Sequence, residues 1–187
     1  MTNDRKKTIH PHKFTMWVAM GSIVMAFAGL TSSVIVRSNQ PNWSTFAMPI
    51  MFLVSTIVII VSSLSMHLTV RAFKKREMPT YRILLTVTVL LGVAFFATQI
   101  LGFAALNKQG LDIKSNNSSS YIYVIALLHM LHIAGGIVAL LVMFFKAFST
   151  KYKVYNSTGI EIVATYWHFV DLLWIYLYLF LYFIIGG

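Results

Sequence analysis

Five long apolar runs, separated by short polar stretches, set the pattern of this chain, at 14–36, 46–73, 81–106, 121–148 and 162–185. Even the shortest, at 1.5 Å of rise per residue, spans about 35 Å, enough to cross a hydrocarbon core of about 30 Å. Five transmembrane helices are therefore predicted. The stretch 1–13 is polar and reads as a short solvated tail, in which His10 and His12 flank Pro11 as an incidental pair. Ala26-Phe27-Ala28 resembles a signal-peptide cleavage site, but the apolar run continues to Val36, which favours a retained helix. Pro49 falls in the first turn of the second run, where a missing N–H costs least. The longest connection, 107–120, is rich in Asn, Ser and Gly and is expected at the surface.

Composition sharpens this reading. Of 187 residues, 58% are hydrophobic and 11% charged, and the mean hydropathy of +0.75 indicates an all-α integral membrane protein. The net charge of +10 would suggest nucleic acid as a partner for a soluble protein. Here the basic residues sit between the apolar runs, so orientation in a bilayer explains them instead. Twelve of the 15 Lys and Arg fall in the tail and in the second and fourth connections, leaving Arg37, Lys108 and Lys114 for the other side. By the positive-inside rule the N-terminus is cytoplasmic and the C-terminus outside, which requires an odd number of spans. The chain has no cysteine, which excludes disulfides, thiolate–zinc sites, iron–sulfur clusters and Cys-ligated copper.

Polar residues inside the apolar runs carry the candidate chemistry, because an ionisable group at membrane depth is expensive unless it faces protein. Glu161, Thr165, His168 and Asp171 share one stripe of the fifth run. On the fourth, His129, His132 and Gly136 share a face, with Gly135 beside it, and Gln99 is the most polar residue of the third. The second run carries the hydroxyls Ser55, Thr56, Ser62, Ser63 and Ser65, suited to close helix contacts, and His67, read as snorkelling toward the adjacent basic cluster. Counting rise from opposite ends puts His132 and Asp171 at nearly one depth, so Asp171 is expected to be held by His132 or His129. A metal held by these histidines, a haem between His132 and His168, and an independent transporter built on Asp171 are the alternatives. Against them stand the lack of a carboxylate pair, a depth offset of about 5 Å between His168 and Asp171, and the lack of inverted repeats.

The same residues carry a resemblance. Leu128-His129-Met130-Leu131-His132-Ile133 with Gly135-Gly136, and Glu161 followed by Tyr166-Trp167-His168-Phe169-Val170-Asp171 with Trp174, resemble subunit III of the haem–copper terminal oxidases, the cytochrome c and quinol oxidase group. Phe95-Phe96-Ala97-Thr98-Gln99 and Ala28-Gly29 add weaker support. The chain is similar to the short five-helix bacterial form, and the resemblance covers essentially its whole length. Two positions depart from the pattern: Ile23 follows Ser22 where many members carry glutamate, and Gly102 replaces a glutamate three residues after Gln99. Roles that need those carboxylates are not carried over.

The resemblance implies a multi-pass subunit of the bacterial inner membrane, without a catalytic centre, haem or copper of its own. Its partners would be the catalytic subunit I, subunit II, small subunits and membrane lipids, with a respiratory supercomplex left open. It implies phospholipid in a cleft between helix groups, with Trp167 and Trp174 as candidate lining, and support of proton uptake and oxygen access in an oxidase that pumps protons. His129, His132, His168, Asp171 and Glu161 would form a structural polar network, with Gly135, Gly136 and Gln99 in helix packing.

Overall fold

The computed structural model describes residues 11–40, 43, 46, 48–111, 117–149 and 157–185, without the side chains of Pro11, His12, Asn117 and Ser157. The basic residues Arg5, Lys6, Lys7, Lys114, Lys151 and Lys153 and the His10–His12 pair lie outside this description. The described residues form five α-helices, α1 Pro11–Ser38, α2 Ile50–Lys74, α3 Met78–Lys108, α4 Asn117–Phe148 and α5 Ser157–Ile185, and no strand. Each is long and apolar enough to cross a membrane.

The helix ends follow local chemistry. Pro11 opens α1, where its fixed φ suits a helix and its missing N–H would be unpaired anyway. The expected start of α2 at Phe46 is four residues too early. Pro49 instead precedes the helix with extended backbone, φ −55° and ψ 135°, and a proline also disfavours helical backbone in the residue before it. Phe46 N–H donates instead to the Ile185 carbonyl at the end of α5, 3.1 Å away. The α2–α3 connection is a tight left-handed cap, with Glu77 N–H bonded to Ala72 O and Arg76 N–H to Phe73 O. The cap places Arg76 at φ +61°. The end of α3 repeats the motif with Gly110 at φ +73°, where glycine avoids a Cβ clash.

α5 is the hub. It packs against α1, α2 and α4, while α2 pairs most extensively with α3, α3 with α4, and α1 with α4. The helices α2 to α5 thus close on one another, and α1 leans on the outside of α4 and α5 as the least buried span. Trp167 and Trp174 fill the centre. Ring atoms of Trp167 come within 2.9 Å of where a Cβ on Gly92 would sit and within 3.0 Å of one on Gly136. So α3 and α4 each present a glycine to one indole. Gly135 points outward, with only the Tyr166 hydroxyl nearby at 4.0 Å.

The basic residues of alternate helix ends come together. Glu161 at the start of α5 binds Lys13 of α1 and Lys74 of α2, each at 3.1 Å. Arg82 near the start of α3 donates to the Ala147 carbonyl near the end of α4 at 2.9 Å. At the opposite end the Tyr123 hydroxyl donates to Asn107 at 3.0 Å, and Trp43 stands beside Tyr121.

Candidate functional site

The polar side chains inside the bundle are organised by α2. Five of its six hydroxyls make a hydrogen bond to another helix, and the sixth, Thr69, donates to the Ser65 carbonyl of α2 itself. Trp167 Nε1 donates to Ser62 and Trp174 Nε1 to Thr56, both at 3.1 Å. His168 Nδ1 meets Ser63 Oγ at 2.7 Å. Toward α3, Gln99 Nε2 donates to Ser55 at 2.8 Å, and Thr88 donates to Ser65 at 3.0 Å while Ser65 donates to the Leu84 carbonyl at 3.2 Å. These short side chains let the helices approach closely and satisfy groups that lipid could not.

The five residues expected in one network divide into three groups. Glu161 lies at the bundle's basic end with Lys13 and Lys74. His168, half-buried, bonds Ser63, and its ring centroid lies 6.3 Å from that of His67. His67, read from sequence as snorkelling into the basic cluster, thus stands beside His168, a proximity that needed the register of α2 against α5. His129 and His132 form the third group, on the α1-facing side of α4. His129 is fully buried, stacked on Trp174 at 5.2 Å and edge-on to Phe27 and Phe95, with neither ring nitrogen hydrogen-bonded. His132 Nδ1 meets the Leu128 carbonyl of its own helix at 2.7 Å, and its backbone carbonyl accepts from the Tyr166 hydroxyl.

Asp171 is not held by either histidine of α4. It is 2% exposed, and neither of its oxygens completes a hydrogen bond. Its polar neighbour is Ser63, the hydroxyl already bonded to His168. Nominal depth brought Asp171 level with His132, but the two helices face each other through Tyr166, Trp167 and Trp174, which leaves Asp171 turned toward α2. Fourteen residues of α5 lie on either side of it, so it sits about 21 Å from each helix end at 1.5 Å per residue.

Two openings border α1. One, of ≈ 370 Å³, lies at the basic end between α1, α2 and α5, lined by Lys13, Trp17, His67, Glu161, Thr165 and His168 among others. The other, of ≈ 280 Å³, is an apolar groove between α1 and α5 lined by Val24, Phe27, Ala28, Phe169, Leu172 and Tyr176 with Leu173. Trp167 and Trp174 line neither, because both are buried inside the core. Among the described residues, no three His, Cys, Asp or Glu side chains converge. His132 and His168 each bond a group of their own. The two departures from the expected pattern also have structural counterparts. A Cβ on Gly102 would meet the Phe52 ring at 3.1 Å, so that ring occupies the space a glutamate would need. Ile23 packs against the core.

Comparison with known proteins agrees with this architecture. The family model described as "Cytochrome c oxidase subunit III" matches residues 41–185. A probable cytochrome c oxidase subunit 3 of Nocardia farcinica is 30% identical, over 88% of this chain and 84% of that protein. A cytochrome c oxidase subunit 3 of Bacillus sp. PS3 is 23% identical over 87% and 80% of the respective chains. A probable quinol oxidase subunit 3 of Staphylococcus saprophyticus is 23% identical over 89% and 86%.

Proposed function

Since the chain belongs to the cytochrome c oxidase subunit III family, we propose that it is the non-catalytic subunit that packs against the catalytic subunit I of a proton-pumping terminal oxidase in a bacterial inner membrane, with its N-terminus cytoplasmic. Haem and copper belong to the partner subunits in this reading, and subunit II and the small subunits complete the complex. Its own task is to bind phospholipid and to support proton uptake and oxygen access.

The observation that carries the lipid role is the pair of openings beside α1. The apolar groove suits an acyl chain, whose transfer onto side chains such as Phe169 and Leu172 leaves it in surroundings like the bilayer interior. The cavity at the basic end presents the Lys13–Glu161 ion pair and the half-buried His168, a setting suited to a polar headgroup. An acyl-lined groove open to the bilayer is also a route for apolar oxygen. Relatives named for either cytochrome c or quinol oxidases fit a subunit whose role is common to both electron donors.

Affinity purification from detergent-solubilised membranes tests the reading. Subunits I and II should co-purify with this chain, and native mass spectrometry should detect phospholipid on it, reduced by bulky substitution in the groove such as Ala28→Trp. A Soret band that stays with the separated subunit would overturn the assignment of haem to its partners, and unchanged lipid occupancy in Ala28→Trp would overturn the lipid role.

A further inference from the structure

Asp171 is a carboxyl at the middle of a membrane helix with no completed hydrogen bond, and its surroundings differ from those of His129, whose two ring nitrogens are also unpaired. His129 is enclosed by the rings of Trp174, Phe27 and Phe95, and neither of its nitrogens is hydrogen-bonded. Asp171 instead has Ser63 as its polar neighbour, and Ser63 bonds His168 at 2.7 Å. The His168 ring lines the cavity at the basic end. A series of proton-bearing side chains therefore runs from an open cavity to a buried carboxyl.

We propose that Asp171 is a buried proton-exchange site, loaded and unloaded from the basic-end cavity through His168 and Ser63. The chemistry of each group permits it. A serine hydroxyl has one proton to donate and lone pairs to accept with, and a neutral imidazole carries its proton on either nitrogen. In one arrangement His168 donates from Nδ1 to Ser63, whose own proton points toward an Asp171 carboxylate. In the other, His168 Nδ1 accepts from Ser63, and Ser63 accepts from the Asp171 carboxylic acid.

Conversion between the two balances without any further reactant. A solvent proton binds His168 Nε2 from the cavity, the Nδ1–H bond breaks as its proton passes to Ser63 Oγ, and the serine proton passes to an Asp171 oxygen. The net change is one carboxylate plus one proton giving one carboxylic acid. Unloading reverses each step. An ionised carboxyl without bonds is costly at this depth, so delivery of a proton through the neighbouring Ser63 gives the site a means of neutralising itself.

The charged and titratable neighbours on each packed helix fit this direction of access. From α2, His67 and Lys74 stand at the cavity end, and from α1, Lys13 does so. On α5 itself, Glu161 lies at the same end with both lysines. From α4, His129 and His132 lie against Phe27 of α1. Among the described residues, the ionisable groups named at this end, Lys13, His67, Lys74 and Glu161, thus stand at the mouth of the route. The inference uses side chains of this chain alone and stands or falls apart from the lipid reading.

Infrared spectroscopy of the purified oxidase complex during exchange from light into heavy water tests it. A carboxylic C=O band missing from Asp171→Asn should move to lower frequency as its proton is replaced. Ser63→Ala and His168→Phe should each slow that movement by about tenfold or more, as loss of a positioned proton-transfer group does. His67→Phe, outside the bonded series, should leave the rate near that of the unsubstituted protein. If Asp171→Asn fails to assemble, aspartate labelled with heavy carbon at its carboxyl identifies the band through the slow exchange in Ser63→Ala. No exchanging aspartic acid band, or equal rates in Ser63→Ala and His168→Phe as in the unsubstituted protein, would overturn the proposal.

Discussion

At the scale of single residues, the core is governed by two indoles set against short side chains. Trp167 leaves no space for a methyl group on Gly92, where a Cβ would stand 2.9 Å from the ring, and the ring is held by its bond to Ser62. Overpacking of this kind typically costs about 1–3 kcal/mol. Gly92→Ala should therefore lower the thermal denaturation midpoint of the subunit, and adding Trp167→Phe should restore part of the loss, since the smaller ring vacates the contested space. Full additivity of the two substitutions would show that Gly92 and Trp167 do not constrain each other. The sequence marked His168 and Asp171 as out of place in an apolar run, and the reason was intrinsic: each is polar where lipid is the default. It did not identify Ser63 as their shared neighbour, because six hydroxyls on one helix look alike until the register of α2 against α5 is known. His129 was misjudged for a related reason. Its surroundings are aromatic rings drawn from α1, α3 and α5, a combination that spacing within α4 cannot report.

At the scale of elements, helix identity was legible from apolar length alone, while helix ends depended on turn chemistry. The proline before α2 shortened that helix relative to its apolar run, since hydrophobicity continues through residues whose backbone is extended. α3 was lengthened for the opposite reason: Met78 and Pro79 were read as part of a polar connection, yet they form the first helical turn behind the left-handed cap. That cap offers a direct test. Arg76 adopts φ +61° with a Cβ present, a conformation that costs roughly 1–2 kcal/mol in a residue other than glycine. Arg76→Gly should relieve most of this penalty, offset by the larger chain entropy of glycine in the unfolded state. The expected result is a midpoint equal to or slightly above that of the unsubstituted protein, whereas Arg76→Val should lower it, since a β-branched residue tolerates positive φ least. A marked loss of stability in Arg76→Gly would mean that the arginine side chain, rather than the backbone, secures the turn.

At the scale of the whole molecule, charge and fold determine sidedness together. Alternating helix directions place the starts of α1, α3 and α5 beside the ends of α2 and α4, and the bonds of Glu161 to Lys13 and Lys74 and of Arg82 to Ala147 draw these ends together. The basic residues are thereby concentrated at one end, and Arg37 and Lys108 remain at the other. Moving basic residues across a bilayer is unfavourable during insertion, so the crowded end should face the cytoplasm. Because the chain has no cysteine, single cysteines can report this without background. Asn39 and Thr80 are both exposed, the first beyond the end of α1 and the second in the first turn of α3. Asn39→Cys should react with a membrane-impermeant maleimide in intact cells, and Thr80→Cys should react only after the membrane is permeabilised, with both reacting once the protein is denatured. The reverse pattern would place the basic end outside and open the cavity beside His168 to the opposite proton reservoir.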